Sequence, residues 1–212
     1  MTSSTFTAST PIRVRPPTAV VAGAAALLYA GVQLDAGVVV ASLRSTSTVS
    51  HHRLNFPLAG TTATTAEVVW GLSQLAFLIA LAAFRRTPAL AESRSGRIGA
   101  TLAFVGGWLF LGGHVVCLIF RDALTSDASG VTAASLFGIG SVLIAAGFIT
   151  AGTVVLHGRQ WSGWRRVTPL AVGGWMLLMI PLQFTGLLQA AVAIHAVSVG
   201  AFAVAMLLES NE

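Results

Sequence analysis

The sequence predicts an all-α fold, a polytopic transmembrane helical bundle of about six helices, and two observations support this prediction. Hydrophobic residues make up 55% of the 212-residue chain and charged residues only 9%, whereas ordinary soluble domains have about 45–50% and about 25%. Apolar stretches that approach or exceed the ~20 residues needed to cross a bilayer core alternate with short polar loops. We therefore expect an integral membrane protein with almost no soluble part.

A single transmembrane domain is predicted for residues 18–208. Residues 1–17 are rich in Ser, Thr and Pro and should form a disordered cytoplasmic tail, and 209–212 a short cytoplasmic tail. The first span is too long for a signal-peptide core, and the tail before it is too polar for one. The predicted spans cover residues 18–43, 64–84, 98–120, 130–156, 167–184 and 186–208. The last two are separated by only a tight turn, so a short hairpin is the alternative there.

The distribution of arginine predicts the orientation. Arg44, Arg53 and Arg121 lie on one side of the predicted membrane, and the other nine of the 12 basic residues lie on the side of the N-terminus. Positive charge in short loops is retained in the cytoplasm, so both termini should be cytoplasmic, in a bacterial plasma membrane. The nine are Arg13, Arg15, Arg85, Arg86, Arg94, Arg97, Arg159, Arg165 and Arg166.

Composition also excludes several function classes. The chain has no lysine, which excludes a retinal Schiff base and a lysine nucleophile. The net charge of +5 comes from arginines beside apolar spans, so membrane lipids with anionic headgroups are the expected partners and nucleic acid is not. The single cysteine, Cys117, cannot form a disulfide within the chain or a CxxC motif.

Ionisable and amide side chains inside the spans are confined to one half of the membrane. At 1.5 Å per helical residue, they all lie in the half away from the arginine-rich side. Ionisable groups at such depth cost at least ~2.5–3.5 kcal/mol on insertion scales and normally face the bundle interior or water. They are therefore candidate functional groups. The residues are Gln33, Asp35, Glu67, Gln74, His114, Gln183, Gln189 and His195.

Helical spacing predicts that these groups form one site. Glu67, Trp70 and Gln74 are spaced i, i+3, i+7 and share a face of the second helix, and Phe110 and His114 share a face of the third. The predicted site is a pocket that opens away from the arginine-rich side. The alternative is a set of ordinary polar links between helices, worth about 0.6 kcal/mol each. The candidate general acids are Glu67 and Asp35, and the pocket residues are Trp70, Gln74, Phe110, His114, Gln183, Gln189 and His195.

The histidines raise the question of a cofactor. His114 and His195 lie at similar depth on antiparallel helices, which is the arrangement that a b-type haem with two imidazole ligands requires. Structural, hydrogen-bonded histidines are the competing interpretation, and we predict no cofactor, with haem as the alternative. His51 and His52 have no third ligand at a recognisable spacing, so no metal site is predicted.

One resemblance concerns the layout of the chain. Trp161 and Trp164 stand beside Arg165 and Arg166, a pattern that predicts an interfacial anchor. The stretch 161–173, WSGWRRVTPLAVG, together with Asn55-Phe-Pro-Leu before the second span, resembles uncharacterised six-helix membrane proteins of actinobacteria. That resemblance implies the fold and carries no chemistry.

A second resemblance concerns a short motif. Glu67-Val-Val-Trp70-Gly-Leu resembles the acidic motif on the second helix of small membrane-embedded terpene cyclases. The resemblance implies that Glu67 would protonate an olefin or epoxide, with a second acid near the last helices. Because residues 167–208 contain no Asp or Glu, Asp35 would have to take that role.

Three functional hypotheses follow. The first is a protein that binds or moves a small lipophilic or cationic molecule through the predicted pocket, or that acts as a membrane partner subunit. The second is a membrane-embedded enzyme on an isoprenoid-like substrate, with Glu67 or Asp35 as general acid. The third is a b-type haem protein with His114 and His195 as ligands.

Overall fold

The computed structural model describes residues 17–158, 161–182, 185 and 187–209, and it confirms the predicted all-α fold. Six of the helices have 15 residues or more. In the described residues the only β-pairing is an isolated bridge between Arg53 and Leu124. The helices are α1 Pro17–Arg44, α2 Gly60–Phe84, α3 Pro88–Ala91, α4 Arg94–Ile119, α5 Ala128–Gly158, a 3₁₀ helix Gly163–Val167, α6 Thr168–Leu182 and α7 Leu188–Glu209.

Five of these helices, α1, α2, α4, α5 and α7, are long and apolar enough to cross a membrane. The chain is therefore an integral membrane protein. The helix α6 has 15 residues and ends next to residues that lie outside the described part of the chain.

The six long helices are arranged as a ring. Each packs against the next one along the chain, in the order α1, α2, α4, α5, α6 and α7, and α7 packs back against α1. Neighbouring helices run antiparallel, as the contacts of Gly23 with Leu207 and of Gly37 with Ala193 show for α1 and α7, so the two ends of the ring differ. We call the end where α1 begins and α2 ends the arginine-rich end, and the other the opposite end.

Small residues bring α4 and α5 into backbone contact. A Cβ atom placed on Gly147 would lie 2.4 Å from the Ala103 nitrogen and 2.5 Å from the Gly99 oxygen. One on Gly106 would lie 2.7 Å from the Gly140 oxygen. Membrane helices lack the hydrophobic driving force that water supplies, so close backbone approach of this kind is a main source of their association.

The interior near the arginine-rich end is filled by aromatic rings, which we call the aromatic cluster. Phe84 packs edge-on against Phe202 with ring centroids 4.9 Å apart, and Phe148 lies 5.7 Å from Phe84 and 5.3 Å from Phe202. Phe77 and Trp161 complete the cluster, and all five side chains are at most 2% exposed. This half of the ring is therefore closed and apolar.

Trp161 corrects one expectation. It was predicted to be an interfacial anchor, but it is buried against Phe84 and Phe202. Trp164 is 51% exposed and keeps the position expected of an anchor. The large aromatic side chain of Trp161 instead fills apolar space inside the ring at this end, beside Phe84 and Phe202.

Two helices start earlier than the spans predicted from hydropathy. α2 begins at Gly60, four residues before the predicted start. α4 begins at Arg94, because the Ser93 side chain caps the helix by accepting a hydrogen bond from the Gly96 nitrogen at 3.2 Å. Arg94 and Arg97, predicted to be loop residues, therefore lie on the first turns of a helix.

Candidate functional site

Glu67 and His114 form the central contact of the site. The Nδ1 of His114 and the Oε2 of Glu67 are 2.9 Å apart, and since a carboxylate can only accept, the imidazole donates. The side chains are 7% exposed for Glu67 and 13% for His114. The two residues are 47 positions apart in sequence, and the contact joins α2 to α4 in the half near the opposite end.

Gln74 lies two turns further along α2 and also faces α4. Its side chain is fully buried, and its Nε2 donates to the Gly107 oxygen at a long 3.4 Å. Its Oε1 has no hydrogen-bond partner among the described residues. Trp70, one turn earlier and half-buried, lies on the same side of the helix, so three of the predicted pocket residues of α2 do share one face.

His195 is the most unusual polar group in the ring. It is 3% exposed, and seven residues further along the same face of α7 is Phe202, a member of the aromatic cluster. Within the described part of the chain, neither Nδ1 nor Nε2 of its ring has a hydrogen-bond partner. Buried polar atoms are nearly always satisfied, and each exception costs about 1–3 kcal/mol.

Aromatic side chains form the wall beside Glu67 and His114. Phe137 on α5 packs edge-on against His114 at 5.2 Å and against Phe110 at 5.3 Å between ring centroids. Phe110 was predicted to line the site, but Phe137 was not. The sequence contains no signal for it, because α5 has no ionisable or amide side chain at this depth whose spacing would indicate the inward face.

Asp35 does not join this group. It is exposed on α1, whereas the buried face of that helix carries Ala26 and Tyr29. At 100° per residue, Asp35 lies on the outward side of α1. Its predicted place in the pocket is therefore wrong, and the structure does not bring it to Glu67.

Of the two remaining amides of the prediction, the one that the structure describes lies on the first turn of α7. Gln189 is half-buried, and its Oε1 accepts a hydrogen bond from Arg44 at 3.0 Å, which ties the end of α1 to the start of α7. Gln189 thus contributes to the rim of the ring. Gln183 lies outside the described residues.

Two loops pair across the opposite end, a feature that the sequence did not predict. The Leu54 nitrogen donates to the Ala123 oxygen at 3.0 Å, and the Thr125 nitrogen donates to the His52 oxygen at 2.8 Å. Asn55 is buried and its Nδ2 donates to the backbone oxygen of Cys117 at 3.3 Å. These bonds hold the loop between α1 and α2 against the end of α4, one turn beyond His114.

The two histidines on which the haem hypothesis depends lie on opposite helices of the ring. His114 and His195 belong to α4 and α7, which are three positions apart in the ring of six and therefore face each other across it. Each keeps at least one ring nitrogen without a partner in the described residues, and haem ligation stays the untested alternative to the prediction of no cofactor. His51 and His52 are exposed with ring centroids 4.1 Å apart, and no group of three or more metal-binding side chains occurs in the described part of the chain.

Comparison with known proteins gives no further assignment. No protein-family model matches the chain, and neither a curated protein nor a solved structure is significantly similar to it.

Proposed function

We propose that this integral membrane protein binds a small lipophilic molecule with a hydrogen-bonding or cationic group, held inside the helix ring in the half near the opposite end. The observation that carries the proposal is the buried imidazole of His195, neither of whose nitrogens has a hydrogen-bond partner among the described residues. A ligand that donates or accepts there would remove a cost of about 1–3 kcal/mol per atom.

Other side chains in the same half of the ring fit such a ligand. Glu67 provides a carboxylate that prefers a cation or a hydrogen-bond donor, while Trp70, Phe110 and Phe137 provide apolar area and π faces. The aromatic cluster closes the ring toward the arginine-rich end. This closure favours binding from one side over passage straight through the protein.

Native mass spectrometry of the protein purified from its host membrane tests the proposal. We expect an additional mass on the wild-type chain, and its loss from a His195→Phe variant, which fills the same volume without polar atoms. The matched control is Asp35→Asn, which alters an ionisable group in the same half but outside the ring and should keep the added mass. A wild-type chain with no added mass other than phospholipid, or one whose non-phospholipid adduct survives His195→Phe, would contradict the proposal.

A second candidate is an enzyme on isoprenoid-like substrates, and the Glu67–His114 contact is the observation that favours it. A buried carboxyl group beside an imidazole can act as a general acid. After the carboxyl group has given its proton to the substrate, a protonated imidazole can supply the next one. Asp35 cannot serve as the second acid from the outward face of α1. Incubation with an epoxidised isoprenoid tests this candidate. Glu67→Gln should abolish turnover while the protein stays folded with a modestly lower melting temperature, because the amide oxygen can still accept from His114. Retained turnover would refute the candidate.

We further propose that the arginine-rich end faces the cytoplasm of a bacterial plasma membrane, which places both termini inside. Ser95, on the first turn of α4, and Ser126, in the loop before α5, are both exposed and lie at opposite ends of the ring. In a Cys117→Ser background, a membrane-impermeant maleimide added to intact cells should label Ser126→Cys and not Ser95→Cys. The reverse labelling would show the opposite orientation.

A further inference from the structure

A cleft at the arginine-rich end has no role in the proposed function. It has a volume of about 690 Å³ and lies between the end of α2 and the first turns of α4. Arg85, Arg86, Arg94 and Arg97 all line it. The early start of α4 creates this arrangement, because it turns Arg94 and Arg97 into helix residues next to the end of α2.

The charge of the cleft is not balanced by the protein. None of the four guanidinium groups forms an ion pair or a side-chain hydrogen bond with another described residue. Glu92 lies in the connection between α2 and α4. It is exposed and makes no ion pair with these arginines among the described residues. Four like charges around one cleft repel one another, so an anion bound there is stabilised by all of them.

One of the four arginines is held in place. The Arg85 guanidinium lies 5.0 Å from the centre of the Phe104 ring, and the side chain is half-buried. A cation–π contact of this kind fixes the plane of the guanidinium and leaves its N–H groups free to donate. Arginine binds phosphate through two parallel hydrogen bonds, which a fixed plane favours.

Apart from Thr101, whose hydroxyl donates to the backbone oxygen of Arg97, the remaining lining of the cleft is apolar. Ala82, Ile98, Leu102 and the ring of Phe104 extend the cleft from the arginines toward the membrane core. Such a site accommodates an amphiphile, with its anionic head at the arginines and its hydrocarbon chain along the helices. Basic pockets between transmembrane helices bind multiply charged lipid headgroups in this way.

We propose that the cleft between α2 and α4 binds a lipid whose headgroup carries two phosphate groups. A single phosphodiester has one negative charge and would leave most of the four positive charges uncompensated. Two phosphates provide enough oxygens for paired hydrogen bonds to all four guanidinium groups.

Lipid titration of the purified, delipidated full-length chain in detergent tests this site, with tetraoleoyl cardiolipin as the probe and native mass spectrometry as the readout. We expect one tightly bound cardiolipin per chain and affinity for phosphatidylglycerol roughly tenfold lower or more. The double variant Arg85→Gln/Arg97→Gln should weaken cardiolipin binding by about tenfold or more, since charge-assisted hydrogen bonds are lost from both sides of the cleft.

The matched control is Arg166→Gln, which removes one exposed charge at the same end but outside the cleft and should change the affinity by less than about twofold. If the double variant does not fold, Arg94→Gln alone, at an exposed position, should lower the affinity by several-fold. Three outcomes would overturn the proposal: an equal loss in Arg166→Gln, equal affinity for phosphatidylglycerol, or inorganic pyrophosphate binding as tightly as cardiolipin, which would indicate a site for a free anion.

Discussion

Glu67 and His114 join α2 to α4 through one hydrogen bond of 2.9 Å, and a double-mutant cycle measures what that bond contributes to stability. The cycle uses Glu67→Ala, His114→Ala and the double variant. Each single variant loses the stability that the bond contributes, so the sum of the two losses includes the bond twice, whereas the loss in the double variant includes it once. The coupling energy then isolates the pair from the cavity that each truncation leaves.

The expected coupling follows from burial and charge. Hydrogen bonds between transmembrane helices average about 0.6 kcal/mol and reach about 1.7 kcal/mol, whereas bonds to charged groups contribute about 1.5–3 kcal/mol. The Glu67–His114 contact involves a carboxylate, is short, and has side chains at most 13% exposed. We therefore expect a coupling of about 1.5–2 kcal/mol, at the upper limit of the membrane range.

Unfolding in mixed micelles, followed by the fluorescence of the five tryptophans, provides the free energies. The control cycle is Gln33→Ala with Ser73→Ala, a neutral contact between α1 and α2 at 3.5 Å, for which we expect about 0.6 kcal/mol or less. A Glu67–His114 coupling no larger than that of the control pair would refute the assignment of a charge-assisted, buried bond.

Three further substitutions test other parts of the structure. Gly147→Ala should destabilise the protein by about 1–3 kcal/mol because its Cβ would overlap the α4 backbone, whereas Gly138→Ala, with nothing within 4 Å, should be neutral or stabilising by up to ~1 kcal/mol; equal melting temperatures would contradict the close α4–α5 contact. Asp35→Leu should favour membrane insertion by about 2.5–3.5 kcal/mol in a translocon assay and should keep the ligand mass seen by native mass spectrometry. Loss of that mass would show that Asp35 belongs to the site. Gln74→Leu should change the unfolding free energy by less than ~1 kcal/mol, because it removes one long hydrogen bond and one unsatisfied oxygen together; a much larger loss would mean that Gln74 is better bonded than its contacts indicate.

The fold could be predicted from sequence because hydropathy alone determines which segments enter a membrane. The α2–α4 part of the site was also predictable, since Glu67, Trp70 and Gln74 have helical spacing and two polar residues on one face indicate that this face points inward. In the structure, Glu67 on α2 and His114 on α4 contact each other directly.

Asp35 shows where that reasoning ends. A membrane helix is apolar on all sides, so a single polar residue does not reveal whether its face points to the ring or to lipid. On α1 the inward face is determined by Ala26 and Tyr29, which pack against neighbouring helices, and the sequence does not distinguish these from the apolar residues that face outward.

The arginine cleft was missed for a different reason. The hydropathy pattern placed Arg94 and Arg97 in a loop. Arginines in a solvated loop indicate only which side of the membrane the loop lies on. Their position on α4 depends on a capping hydrogen bond from the Gly96 nitrogen to Ser93, and their proximity to Arg85 depends on how α4 packs against α2. Both are properties of the folded chain.

The proposed function requires the ring to be polar and open to water near the opposite end, and aromatic rings close it near the arginine-rich end. Trp70 and Phe77 test it most directly: they lie seven residues, or about 10 Å, apart along one side of α2, and Trp70 is half-buried whereas Phe77 is fully buried. In a Cys117→Ser background, a charged, water-soluble methanethiosulfonate reagent should modify Trp70→Cys readily and leave Phe77→Cys unmodified. Equal modification of the two cysteines, or protection of both, would contradict the account.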